Sequence, residues 1–262
     1  MTRPHLAVGV DIGGTGIKAA LVDVDTGKLV SERLKVATPA GGEPADIVAA
    51  TANLVDILTS DRHVPVGIAF PSAIHHGVTM LAANVSDAWI GLAAEDLFAA
   101  SLQRSITFVN DADAAGLAEV RFGAARGRAG LVILTTLGTG IGSALIYNGV
   151  LIPNSELGHL EIDGHDAESR AANSARLRRR WTWRKWARKL QRYYSHVEML
   201  FSPDLFIVGG GVSKFADEFL PLLHLRTEIV TATLKNNAGI LGAAVMAAEA
   251  NGPTDTPGSV SK

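Results

Sequence analysis

A short turn built from Gly13, Gly14, Thr15 and Gly16 constrains this chain more than any other stretch, because apolar runs enter and leave it at residues 6–10 and 17–24. Such runs on either side of a tight turn read as the buried strands of a hairpin. Glycines carry no Cβ, so their backbone N–H groups stand open to an anion and the turn is sized for phosphate. A Walker A loop and a dinucleotide-binding fingerprint both need glycines that open a helix. These open a strand, and both motifs are excluded. Alone, the pattern fits a plain hairpin equally well.

A second copy tips that balance. Gly138-Thr-Gly-Ile-Gly-Ser-Ala-Leu145 repeats Gly14-Thr-Gly-Ile-Lys-Ala-Ala-Leu21 at six of eight positions and again follows an apolar run, residues 131–134. The chain reads as internally duplicated. One phosphate-sized hairpin per half is what a nucleotide or a phosphate chain lying between two similar domains requires. At 262 residues the chain is long enough for two modest cores.

The surrounding pattern predicts strands at residues 28–36, 64–70, 106–109, 131–136, 141–147, 150–152 and 205–208, and helices at 44–60, 92–103, 112–121, 183–201 and 239–250. Thr182 is the expected N-cap of the long helix, and Ser202-Pro203 its stop. The expected division is an N-terminal α/β domain at 1–109, a C-terminal α/β domain at 110–250, and a disordered tail at 251–262 rich in Pro, Gly, Ser and Thr.

Net charge is −2, so no global field points to nucleic acid or a membrane; an electrostatic partner must be held by a local patch. Cysteine is absent, which excludes disulfides, thiol nucleophiles and cysteine-held metal. No apolar run is long enough to span a bilayer, and the sequence starts without an export signal, so a cytoplasmic protein is expected.

The ordered set of motifs resembles the ROK branch of the sugar kinase and actin superfamily. Asp11-Ile-Gly-Gly-Thr-Gly-Ile-Lys18 resembles the first phosphate motif, and Leu134-Thr-Thr-Leu-Gly-Thr-Gly-Ile-Gly142 the second. Asn110-Asp111 resembles the first connection, residues 206–212 around Gly209, Gly210 and Gly211 the adenosine motif, and residues 237–244 the last connection. The resemblance implies a two-domain actin-like ATPase fold, ribonuclease H-like in each half, with an interdomain cleft. It implies phosphoryl transfer from ATP or inorganic polyphosphate to the 6-hydroxyl of glucose, with mannose as a second hexose and Mg²⁺ travelling with the donor.

Asp111 follows a strand at the junction of the halves, where a carboxylate can accept a hydroxyl proton in line with a phosphate. The competing role is that of a helix cap, which Asp residues between strand and helix often fill. The neighbouring motifs favour the base. Asp113 reads as an ordinary first-turn carboxylate. On the donor side the candidates are Asp11, Gly13, Gly14, Thr15, Gly16, Thr136, Gly138, Thr139, Gly140, Gly209, Gly210 and Gly211. Lys18 is either a phosphate partner or a strand residue facing solvent. The resemblance further implies a sugar set of Asn84, Asn110, Asp111, Glu156, His159 and Glu168, since carboxylates, amides and an imidazole can fix a ring of hydroxyls by paired hydrogen bonds.

Two departures from the family matter. Many members follow the Glu-x-Gly-His pattern with cysteines that hold zinc together with the histidine; without cysteine, no protein-held zinc is expected. Pro71-Ser72 also replaces the common Pro-Gly. The zinc-less pattern leading into a basic, tryptophan-rich segment is similar to the polyphosphate-using glucokinase subgroup. That segment, residues 176–192, carries nine cations. Trp186, Leu190, Tyr193, Val197 and Leu200 fall at helical spacing and read as core. Arg178, Arg179 and Arg180 precede the helix, and with Lys185 they are the expected polyphosphate contacts, since guanidinium forks suit phosphate oxygens.

Rival readings are an ATP-only hexokinase-type member, a non-catalytic sugar-binding or sensor protein of the same fold, and a single-strand nucleic-acid binder using residues 176–192. A ROK transcription regulator needs a DNA-binding domain ahead of the first phosphate motif, and the ten residues before Asp11 do not hold one. Neither DNA nor a membrane is an expected partner. Monomer and homodimer both stay open.

Overall fold

A computed structural model describes residues 5–59, 63–82 and 85–251. Asn84 and the expected tail beyond Asn251 lie outside the described residues. β1 (Leu6–Gly13) and β2 (Gly16–Asp23) form the predicted hairpin, with Gly13 paired to Gly16. The single strand expected at 28–36 is instead two short pieces, β3 (Lys28–Leu29) and β4 (Leu34–Val36), both on β2. Between them Ser31 Oγ accepts the Leu21 N–H at 3.0 Å, a side-chain bond in place of a ladder bond. α1 (Pro44–Thr59), β5 (Val66–Phe70), β6 (Ile74–His75), β7 (Val78–Thr79), α2 (Ala94–Leu102) and β8 (Thr107–Asn110) complete the first half.

The second half runs α3 (Asp111–Phe122), β9 (Leu131–Leu137), β10 (Ile141–Tyr147), β11 (Val150–Ile152), β12 (Glu161–Ile162), β13 (His165–Asp166), α4 (Glu168–Ala171), α5 (Asn173–Arg178), α6 (Trp183–Phe201), β14 (Leu205–Gly209), β15 (Glu228–Thr231) and α7 (Ala238–Ala250). The first sheet has the order β3-β2-β1-β5-β8, the second β11-β10-β9-β14-β15. Read strand for strand, both go antiparallel, antiparallel, parallel, parallel. The duplication in the glycine motifs is therefore a duplication of the whole sheet.

Helices α3 and α7 lie between the sheets. A Cβ on Gly9 or Gly67 would stand 1.9 Å from the carbonyl oxygen of Ile240 or Ala243, so α7 rests directly on the first sheet. A Cβ on Gly242 would stand 1.8 Å from the Ala114 oxygen, so α7 rests as closely on α3. Alanine at such a point forces the main chains apart, at a cost of about 1–3 kcal/mol. α3 in turn packs on β10 of the second sheet, where Gly116 meets Ala144 and Ile146. A body limited to residues 1–109 lacks α7, the helix that covers its sheet.

In α6, Thr182 Oγ1 accepts the Lys185 N–H at 3.3 Å as the N-cap, and Ser202 ends the helix in the left-handed region. Trp186, Leu190, Tyr193 and Val197 are buried, but Leu200 is half exposed, contrary to its helical spacing. Glu198 turns inward instead, because its carboxylate accepts the Thr227 N–H at 2.7 Å.

Candidate active site

Strand β8 delivers Asn110 and Asp111 to a cleft of about 590 Å³ between the halves. The helix cap is Asn110, not Asp111: its Oδ1 accepts the N–H groups of Ala112 and Asp113 at 2.8 and 3.0 Å. Its Nδ2 donates to the Ser72 oxygen at 3.0 Å, which leaves one amide N–H beyond these bonds. Asp111, relieved of capping, lines the cleft. Burial pushes its carboxyl up to about 7, with Asp11, Glu156 and Asp113 adding repulsion and the Ala112 N–H opposing them.

The two glycine loops differ despite their shared sequence. The first is a two-residue turn, Gly14-Thr15, inside the Gly13–Gly16 pair. In the second, Leu137 pairs with Ile141, so Gly138, Thr139 and Gly140 form a three-residue loop. Tertiary partners stretch it open: Ser174 of α5 donates to the oxygens of Gly138 and Thr139, and Glu168 Oε2 accepts the Ile141 N–H at 2.9 Å. This loop and Thr136 line the cleft together with Asp111.

Glu156, His159 and Glu168 also line the cleft. Glu156 is raised by burial and by Glu168, with His159 pulling the other way. His159 Nδ1 lies 2.8 Å from Asp166 Oδ2, and this hydrogen bond holds the imidazole above its ordinary value despite partial burial. The bond also orients the ring, leaving Nε2 for another partner. His159, Asp166 and Glu168 place ligand-type atoms within 4.8 Å of one another.

Of the donor-side candidates, Thr136, Gly138, Thr139, Gly140 and Gly210 line this cleft, whereas Gly13, Gly14, Thr15, Gly16, Gly209 and Gly211 do not. Asp11 reaches the site through its charge on Asp111. Lys18 does not face solvent: across the β1–β2 ladder its Nζ sits 2.8 Å from Asp11 Oδ2, partly buried. Gly210 has φ +80° against Leu137, a conformation and a space suited only to glycine.

Arg178 closes α5, Arg179 caps it, and Arg180 adopts φ +50°, so these cations turn a corner between helices rather than decorate one face. They and Lys185 are exposed and outside the cleft lining. Arg179, Lys185 and Lys189 gather around Trp181, with their charged ends 5.2, 5.7 and 5.9 Å from its ring centre. Arg176 instead lies 3.8 Å over Trp183. Sequence reasoning missed Ser72, Leu81, Ala82, Ile90 and Gly142, which also line the cleft. Of these, Ser72 left a signal as the residue departing from Pro-Gly, and Gly142 as the last residue of the second phosphate motif.

Two stacked duplicate sheets, a glycine loop in the cleft and a carboxylate at its centre define a phosphotransferase of the actin-like ATPase fold. The description "ROK family" matches residues 7–176. The chain is 48% identical to the polyphosphate glucokinase of Mycobacterium tuberculosis over 93% of its length and 91% of the relative. The crystal structure of the inorganic polyphosphate/ATP-glucomannokinase from Arthrobacter sp. strain KM is 53% identical and superposes with a TM-score of 0.89 over 94% of this chain and 99% of that one. A ROK family glucokinase from Streptomyces griseus, in complex with glucose and AMPPNP, is 26% identical with a TM-score of 0.78 over 93% and 99% of the chains. The chain belongs to the ROK family.

Proposed function

We propose that this chain transfers a phosphoryl group from inorganic polyphosphate or ATP to the 6-hydroxyl of glucose, with mannose as a second acceptor. The observation that carries it is Asp111: freed from capping by Asn110, facing the Gly138–Gly140 loop, and raised to about 7 by burial. A base titrating near working pH takes a hydroxyl proton efficiently while about half of it is ionised and ready to do so. The M. tuberculosis relative is a polyphosphate glucokinase and the Arthrobacter one an inorganic polyphosphate/ATP-glucomannokinase, which supports the choice of donor.

The steps follow from the groups present. Glu156 and His159 hold the sugar hydroxyls, and Asp166 fixes the imidazole. The 6-oxygen attacks the terminal phosphorus as its proton passes to Asp111. The bond to the bridging oxygen breaks, and ADP or a shortened polyphosphate leaves. Gly138 N–H closes the loop on the Gly140 oxygen at 3.0 Å, and the backbone N–H groups of Thr139 and Gly140 face the donor phosphates. Asp11 and Asp111 feel each other's charge, and the Asp11 carboxylate, bonded through one oxygen to Lys18, keeps its other oxygen for a hard divalent cation. Asp11 is the residue that would hold Mg²⁺, which supplies charge neutralisation on the donor. Closure of the halves over the cleft keeps water from taking the phosphoryl group. His159 Nδ1 bonds Asp166 and Glu168 Oε2 accepts the Ile141 N–H, which ties these side chains to the sugar wall and the loop.

Measuring glucose 6-phosphate formation with ATP and with polyphosphate, side by side, tests this. Turnover with both is expected. Turnover with ATP alone would favour the hexokinase-type alternative, and glucose binding without turnover a sensor.

A further inference from the structure

Asp113 does something an ordinary first-turn carboxylate does not. It is 2% exposed, and its Oδ2 accepts the Asn154 N–H at 2.7 Å while its buried Oδ1 has no partner among the described residues. Among the described residues no cation pairs with it, and an unpaired carboxyl in such a place is costly. Asn154, at φ +60°, passes the contact on: its Oδ1 accepts the Ile74 N–H at 2.8 Å and its Nδ2 donates to the Ile74 oxygen at 2.7 Å. Ile74 stands two residues after Ser72, whose oxygen takes the Asn110 amide. Asn110 in turn accepts the Asp113 N–H, and the ring closes.

The ring ties three distant segments together around Asp111. Ser72 belongs to the first half's wall of the cleft, Asn110 and Asp113 to the first turn of α3, and Asn154 to the loop that enters Glu156 two residues later. The bonds between Asn154 and Ile74 cross from one half to the other. Resting on the sugar-site assignment above, we infer that Asp113 is a positioning residue: through Asn154 it holds Glu156 and the Ser72 wall in register with Asp111, and so sets the angle at which the sugar hydroxyl meets its base.

Steady-state kinetics of D113A, D113N, N154A and the D113A/N154A double variant, with E156A as reference, test this. D113A and N154A should each raise the glucose KM and lower kcat, together by about tenfold to a hundredfold in kcat/KM, with the donor KM little changed. D113N should recover most of the loss, because its amide oxygen still accepts the Asn154 N–H. The double variant should be no worse than the singles, as for residues acting as one unit. If D113A fails to fold, N154A, at a half-exposed loop position, carries the same expectation. Unchanged glucose kinetics in D113A and N154A, while E156A raises the glucose KM, would overturn the positioning role and leave the sugar site standing. Multiplicative losses in the double variant, or equal rises in both KM values, would overturn it too. An E156A variant with normal glucose kinetics would remove the sugar-site assignment and the positioning role with it.

Discussion

Glu168 Oε2 accepts the Ile141 N–H at 2.9 Å, so one carboxylate on the sugar side of the cleft also secures the end of the donor loop. A Cβ on Gly140 would collide with the same carboxylate, which places the two in direct contact. The proposed sugar wall and the proposed phosphate loop are thus joined through one side chain.

Replacing Glu168 should therefore hurt both substrates. E168A should raise the donor KM as well as the glucose KM by about tenfold or more, since the loop loses its anchor as the sugar loses a partner. E168Q, which keeps a carbonyl acceptor for the Ile141 N–H, should spare the donor and affect mainly glucose. Initial-rate measurements with each substrate varied in turn check this; a donor KM unchanged in E168A would confine the residue to the sugar.

Asp111 predicts opposite pH trends for activity and stability. The value of about 7 means kcat/KM should fall as pH drops below neutrality, because the protonated form cannot accept the hydroxyl proton. Stability goes the other way. From the ordinary value of 3.8 up to about 7 the folded state holds protons on Asp111 and Asp113 that the unfolded state has released, so stability is lost as pH rises through that window. D111N should cut turnover by about a hundredfold or more while glucose binding by calorimetry survives. It should also raise the melting temperature above neutral pH, by about 2–4 °C for each kcal/mol regained. A D111N variant with near-normal turnover would remove Asp111 as the base.

The cations at the α5–α6 corner should separate the two donors. ATP needs only the cleft, whereas a phosphate polymer runs beyond it, and α5, anchored to the donor loop by Ser174, leads directly to Arg178, Arg179 and Arg180. Neutralising these three with Lys185 should lower kcat/KM for polyphosphate by about tenfold or more and leave ATP nearly untouched. Added salt should weaken polymer use more than ATP use, because exposed charge contacts are screened together. Equal loss with both donors, or with neither, would make the corner a structural feature only.

Much of this molecule was legible without its fold because the signals are local. Glycines between apolar runs specify a hairpin within a dozen residues, Thr182 caps the helix it precedes, and a motif that recurs in the second half announces a recurring sheet. Asp111 reaches the cleft for the same reason, by its place where a strand turns into a helix. Other features depend on segments far apart in the chain, and only their packing decided them. α7 leaves its own half to cover the first sheet, through close contacts at Gly9 and Gly67 that no window of sequence displays. Lys18 turns to Asp11 because the ladder places them opposite each other. Loops of shared sequence take different lengths because only the second has Glu168 and Ser174 to hold it open. Asp113, unremarkable in the sequence, becomes a buried carboxyl because Asn154 arrives from forty-one residues away to meet it, and burial is a property of what surrounds a side chain, not of the side chain.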